Sequence, residues 1–216
     1  PKLKNDNYVK IKTKMCGICG TDLSAIKDNA LGKINTRTLT QAKKRGPIFL
    51  GHEIFGEVVE IGKKVEKYNI GDRVAIADDE LCSTFGMESC SFCEKGLPIL
   101  CTNKYKRKYQ NNVGGGWSEF LVRHQNQVFS IPNEMDDNLA VLMEPVAASL
   151  HAVLRSPPKE NDRILIVGGG AIGLGVLVSI LALDIAPIEI TVLARHDFQR
   201  KAAMQFGSHH VVNETN

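Results

Sequence analysis

Between residues 8 and 131 the chain alternates short β-rich runs with glycine and polar turns. The runs at 8–15, 54–61, 72–77, 120–123 and 128–131 are bounded by turn formers, and each predicts a short strand. From Met143 onward the period changes. A helix is predicted through 149–154, Ser156-Pro157-Pro158 breaks it, and strands at 163–167, 189–194 and 209–212 then alternate with helices at 171–183 and 196–206. This switch predicts a domain boundary near 145–160, with a parallel, doubly wound α/β sheet beginning after it. The stretch 164–183 carries no charge over twenty positions, long enough in principle to span a membrane. Glycines at 168, 169, 170, 173 and 175 crowd its first half and predict instead a buried strand, a tight turn and a buried helix. Because three parallel strands cover their helices poorly, the sheet is expected to continue past residue 216.

With 43% apolar and 24% charged residues among 216, the composition is that of an ordinary globular protein and excludes disordered and collagen-like classes. The net charge of +3 is spread out apart from short basic runs at 43–45 and 104–108, too weak a footprint for nucleic acid. The lysine-rich stretch 27–45 reads as an exposed loop. The amino terminus has neither an initiator Met nor an apolar signal region, so the chain reads as cytoplasmic, with its beginning absent.

Six cysteines fall at 16, 19, 82, 90, 93 and 101, four of them within twenty residues. In a cytosolic chain such clustering points to metal before disulfide. Cys90-x2-Cys93 chelates from one turn, Cys101 adds a third thiolate, and Cys82 is the candidate fourth ligand of a closed tetrahedral zinc site. Cys16 and Cys19 form a second CxxC, which alone reads equally as a redox pair, half a zinc site or two small buried residues. Downstream, His52 and Glu53 supply an imidazole and a carboxylate, and Glu144 places an acid beside the apolar run Val141-Leu142-Met143. Buried acids are costly unless paired or bound to a cation. One thiolate, one imidazole and one or two carboxylates make a zinc site with an open position. The plainer alternative has His52 as a satisfied histidine and Glu144 as a helix N-terminal charge.

Gly168-x-Gly170-x-x-Gly173 follows a predicted strand and opens a predicted helix, the context a dinucleotide fingerprint requires. The glycines, with Ala171 and Ile172 between them, allow pyrophosphate to approach backbone N–H groups at a helix N-terminus. An NAD site places an acid at the end of the next strand to hold the ribose hydroxyls; here stand Ala194 and Arg195. A carboxylate that would repel a 2′-phosphate is missing and a guanidinium that could hold one is present, which favours NADP, with NAD still possible. Arg200 reads as a second such contact or as a solvated helix residue.

Cys-Gly-Thr-Asp at 19–22, Gly-His-Glu at 51–53, the 90–101 lobe, Glu144-Pro145 and the glycine turn, in this order and spacing, resemble the zinc-dependent medium-chain dehydrogenases, in their sorbitol, polyol and sugar dehydrogenase branch. Gly115-Gly116-Trp117-Ser118-Glu119-Phe120 also resembles a turn-and-strand segment of that family. The resemblance implies a GroES-like catalytic domain over 1–147 and a truncated Rossmann domain over 148–216. It implies that Cys19 and His52 hold a catalytic zinc, with Glu53 or Glu144 as third ligand. Asp22 would orient His52, Thr21 would pass on the substrate proton, and Ser24 stands where many relatives carry a histidine that completes the proton path. Cys16 matches no family ligand and reads as a small core residue. The family's first structural cysteine would fall at Met87, so either the loop bulges to deliver Cys82 or the lobe has three thiolates. The implied activity is hydride transfer between a secondary alcohol, polyol or sugar and a nicotinamide cofactor. An NADPH-dependent aldehyde or ketone reductase and a non-catalytic nucleotide-binding relative are the alternatives. The implied partner is a small-molecule substrate, with no nucleic acid or membrane, and a full-length homodimer or homotetramer.

Overall fold

The computed structural model describes residues 1–30, 49–77, 80–107, 113–184 and 189–213; the lysine-rich stretch past residue 30 and Lys108 lie outside the described residues. The chain divides into two compact units, Pro1–Leu142 and Met143–Asn216.

In the first unit, β1 (Tyr8–Cys16), β2 (Ile54–Ile61), β3 (Arg73–Ile76), β4 (Phe120–His124) and β5 (Val128–Ser130) form an antiparallel sheet in the order β4-β1-β2-β3-β5. The alternation that marks these strands in sequence turns one face inward. Val9, Ile11, Ile54, Val58, Val74, Ile76 and Leu121 all lie in one buried cluster, each contributing roughly 1.5–3 kcal/mol of hydrophobic burial. The register of β1 on β2 shifts between Lys10 and Ile11 and again between Thr13 and Met15. Such bulges bend a strand and re-aim the chain beyond them, and the chain beyond Cys16 carries the first candidate ligand, Cys19. That segment leads into α1 (Gly20–Ala30), a helix absent from the sequence expectation. Residues 82–107 are built from 3-10 turns and the single-turn helix α2 (Ser91–Glu94). Arg73 closes the far side of the unit. Its guanidinium stands 5.0 Å over the Phe55 ring and donates to the carbonyls of Pro132 and Met135 and to Asp137 at the start of α3 (Asp137–Ala140).

The second unit has three parallel strands, β6 (Arg163–Val167), β7 (Glu189–Leu193) and β8 (His210–Val212), in that spatial order. They alternate with α5 (Ala171–Ala182) and α6 (Asp197–Gln205), and α4 (Met143–Arg155) precedes them. Ile166, Ile190, Val192, Leu177, Ile180, Val153 and Ala203 form its core. The fold is thus a GroES-like β unit followed by the start of a Rossmann unit. The strand expected to be buried on both faces is half exposed. Ile166 is covered, but Leu165 and Val167, which point the other way along a period-2 strand, are 60% and 72% exposed. No helix among the described residues is long and apolar enough to cross a membrane.

Candidate active site

Two loops of the first unit converge on Asp22. Cys19 caps α1, its carbonyl accepting from the N–H groups of Asp22 (3.1 Å) and Leu23 (3.2 Å). Asp22, in the first turn and buried, reaches back so that Oδ2 accepts the Cys19 N–H at 3.1 Å, one half of a capping box. Its Oδ1 accepts the Gly51 N–H at 3.0 Å and lies 3.6 Å from His52 Nδ1. One carboxylate therefore holds the Cys19 loop, the Gly51–His52 turn and the imidazole in one arrangement. The Cys19 thiol, a ring nitrogen of His52 and a carboxylate oxygen of Glu53 all lie within 4.8 Å of one another, each half-buried. Glu53 packs directly on Gly17, where a Cβ would stand 1.9 Å from Oε2, and its carbonyl accepts the Gly17 N–H at 2.8 Å.

Thr21 lies beside this group, its hydroxyl 3.7 Å from Cys19 Sγ. Ser24 is exposed three residues along α1, on the same helix face as Thr21. Cys16 stays out of the cluster. Half-buried against the sheet core, its thiol donates to the Gly17 carbonyl at 3.3 Å and is pushed up to about 11 by burial and by the Asp22 and Glu53 charges. Glu144 belongs to the second unit, in the first turn of α4, where a carboxylate complements the helix dipole.

The four remaining cysteines converge as well. Cys82, Cys90, Cys93 and Cys101 offer sulfurs within 4.8 Å of one another, with Cys82 and Cys101 3.5 Å apart and Cys90 and Cys101 3.9 Å apart. Zinc with Zn–S bonds of about 2.3 Å sets its tetrahedral thiolates roughly 3.8 Å apart. Cys82 arrives by the bulge that the sequence left open. The 3-10 turn Cys82–Phe85 ends at Gly86 in the left-handed region (φ 67°), and Met87 folds back to donate its N–H to the Cys82 carbonyl and pack against the sulfurs. Backbone N–H donors from Cys93 and Thr102 bring the Cys90 thiol down to about 5, while burial pushes Cys93 up to about 12.

In the second unit Gly168 takes φ 108°, and its N–H donates to the Leu193 carbonyl. A Cβ on Gly173 would stand 1.8 Å from the Gly168 carbonyl oxygen, so only glycine lets α5 start this close to the turn. By contrast, a Cβ on Gly168 or Gly170 would meet nothing within 4 Å. Above the turn opens a cleft of about 290 Å³ lined by Gly168, Gly170, Leu193, Arg195, His196 and Gln199. Ala171 and Ile172 form the first turn of α5, and Ala194 is buried beneath the cleft. Arg200 is not in the cleft lining. It donates to the carbonyls of Ala194 and Arg195 and to Asn213, fixing the end of β7. His196 and Gln199 went unnoticed in the sequence because their place in the cleft comes from the corner between β7 and α6, not from a motif.

The first unit matches the alcohol dehydrogenase GroES-like domain over residues 5–133. The chain belongs to the zinc-type medium-chain dehydrogenase family, which includes polyol dehydrogenases. It is 32% identical over 186 residues to the (R,R)-butanediol dehydrogenase of Bacillus subtilis, covering 85% of this chain and 51% of that protein. It is 28% identical over 212 residues to the sorbitol dehydrogenase of Halalkalibacterium halodurans, covering 96% and 55%. Galactitol-1-phosphate dehydrogenase from Escherichia coli superposes with a TM-score of 0.76 at 27% identity, over 99% of this chain and 56% of that one. The chain spans about half the length of the curated relatives it matches.

Proposed function

We propose that this chain carries the metal and pyrophosphate halves of a zinc-dependent dehydrogenase that transfers hydride between a secondary alcohol, polyol or sugar and a nicotinamide cofactor, NADP before NAD. The convergence of Cys19, His52 and Glu53 around the buried Asp22 carries this reading. A thiolate, an imidazole and a carboxylate suit zinc and leave a coordination position open for substrate. Zinc there supplies Lewis acidity that brings an alcohol's pKa toward neutrality. Asp22 holds the imidazole and the Cys19 loop in place, and Thr21, exposed beside Cys19, takes the substrate proton. Ser24 passes it on toward solvent. Glu144 is the second candidate carboxylate for the metal. The four-thiolate lobe holds a structural ion.

The dinucleotide fits the second unit, because the glycine turn has open space where side chains would otherwise stand and the N-terminus of α5 points a positive dipole end at it. The cofactor supplies the hydride acceptor, and the protein binds and aims it. Ala194 and Arg195 favour a 2′-phosphate over free ribose hydroxyls. The test is reduced-nicotinamide absorbance of the intact gene product, with NADP⁺ and NAD⁺ in parallel, against polyols, sugars and simple alcohols before and after chelation. Chelator-sensitive reduction of NADP⁺ by a polyol or sugar is expected. A preference for NAD⁺ removes the role given to Arg195, and turnover that survives complete zinc removal removes the metal mechanism.

A further inference from the structure

The Gly115-Gly116-Trp117 turn is unassigned by the reaction proposed above, yet it docks directly on the two loops that carry Cys19 and His52. It gets there because two side chains are missing. A Cβ on Gly115 would stand 2.2 Å from the Leu50 carbonyl oxygen, and one on Gly116 2.3 Å from the Cys16 sulfur. Backbone bonds then fasten the turn. The Gly116 N–H donates to the Gly51 carbonyl at 2.8 Å, and the Trp117 N–H reaches the Leu50 carbonyl at 3.4 Å. The indole lies over Gly51, whose own Cβ would stand 2.6 Å from ring carbon Cδ1, and Gly51 itself holds φ 80°. The indole N–H points at the Gly17 carbonyl at 3.5 Å. Gly17 touches the Glu53 carboxylate and Gly51 precedes His52, so one side chain contacts the backbone flanking both ligand-bearing segments.

We propose that Trp117 is a positioning residue for the Cys19–His52–Glu53 centre, bracing the 17–19 and 51–53 loops at the spacing a metal requires. The inference rests on that centre holding zinc. Trp and Tyr suit such a place because a rigid apolar ring carries a polar handle at its edge. Asp22 ties the same loops from the buried side, so the two braces act on opposite ends of one arrangement: carboxylate to the Cys19 and Gly51 N–H groups, indole to the Gly17 carbonyl. Trp117 is the only tryptophan among the 216 residues and is 43% exposed, so its emission reports on this centre.

The test measures zinc affinity by competition against a chelator, on the full-length protein, for wild type, Trp117→Phe, Trp117→Ala and Cys19→Ser. Outer partners of metal ligands typically set affinity by about 10- to 100-fold. Trp117→Ala is expected to weaken the step that Cys19→Ser abolishes by that amount, with no change in the four-thiolate step. Trp117→Phe, which keeps a ring over Gly51 and loses the N–H, falls between. Melting of the metal-free protein is expected to be equal in wild type and Trp117→Phe, and the emission difference between these two is expected to change on zinc loading. Unchanged zinc affinity in both Trp117 variants, with the step still lost in Cys19→Ser, overturns the role of Trp117 alone. So does a fall in affinity matched by the same fall in metal-free stability, which is ordinary packing. Equal zinc uptake by wild type and Cys19→Ser overturns the metal centre itself, and the brace with it.

Discussion

Asp22 concentrates the electrostatics of the first unit in one buried carboxylate that accepts two backbone N–H groups and faces an imidazole. In Asp22→Asn the shape is kept, but one acceptor becomes an NH2 that opposes a backbone N–H. Leaving that buried donor unpaired costs about 1–3 kcal/mol, and zinc affinity is expected to fall roughly 10- to 100-fold because the His52 orientation is no longer enforced. Thermal melting and chelator competition read the two effects separately, and an Asn variant with native zinc affinity refutes the orienting role. Arg195 is the corresponding residue of the second unit. Arg195 lines the cleft, and Ala194 stands where an acid would oppose it. A charge-assisted hydrogen bond is worth about 1.5–3 kcal/mol, so Arg195→Ala is expected to lower the preference for NADP⁺ over NAD⁺ roughly 10- to 100-fold in kcat/KM.

At the level of elements, the glycine turn separates packing from binding. In Gly173→Ala the new methyl falls on the Gly168 carbonyl, so α5 has to retreat from the turn, and both dinucleotide affinity and the melting of this unit are expected to fall. Gly170 has extended backbone (φ −82°) and open space beside it, so Gly170→Ala is expected to fold normally while the methyl blocks the close approach of phosphate. Equal stability loss in the two variants contradicts this division. The edge of the β unit carries a pH dependence. His124, at the end of β4, is buried against the edge of the Tyr8 ring, and its Nδ1 accepts the Asn126 N–H, so the ring is neutral in the fold. Burial lowers its pKa below the ordinary histidine value. The unfolded chain therefore takes up the proton first, and the stability this group contributes is complete above about pH 6.5 and is lost as pH falls below it. Melting curves at pH 7.5 and 5 are expected to differ more for wild type than for His124→Asn, which keeps a capping acceptor that does not titrate. The strands were readable in sequence because a half-buried sheet writes its period into β-branched residues, and the Rossmann start because each fingerprint glycine has its own need: Gly168 a positive φ, Gly170 open space beside the backbone, and Gly173 a position where a Cβ collides. Helix α1 was not, since Cys19 is no conventional cap and the segment is weakly amphipathic. Nor was the work of Trp117, which depends on contacts between loops far apart in the chain.

Across the whole molecule the two units stand on different supports, and metal removal is expected to tell them apart. The β sheet of the first unit has a continuous apolar cluster, but the 82–107 lobe is turns and one helical turn around Cys82, Cys93 and Cys101, with Leu81, Met87 and Cys90 partly buried beside them. So small a core supplies little stability, and in such lobes metal binding is folding free energy. Both clusters of candidate metal ligands lie in this unit, with Glu144 alone in the second, whereas the second unit is held by its own aliphatic core and contains the glycine turn. Chelation is therefore expected to lower the melting of the first unit and leave the second in place, and Cys82→Ser, which removes one thiolate, to reproduce most of the loss even with zinc present. NADP⁺ at a hundred times its Kd is expected to act on the other unit, stabilising it by about 2.7 kcal/mol whether or not zinc is bound. Hydrogen exchange resolved along the sequence distinguishes the two responses. Protection lost around Cys82–Cys101 on chelation and gained around Gly168–Gly173 with NADP⁺ fits this assignment. Protection that moves in both units with either treatment means the dinucleotide and the metal centre are energetically coupled, and the two units then share one support.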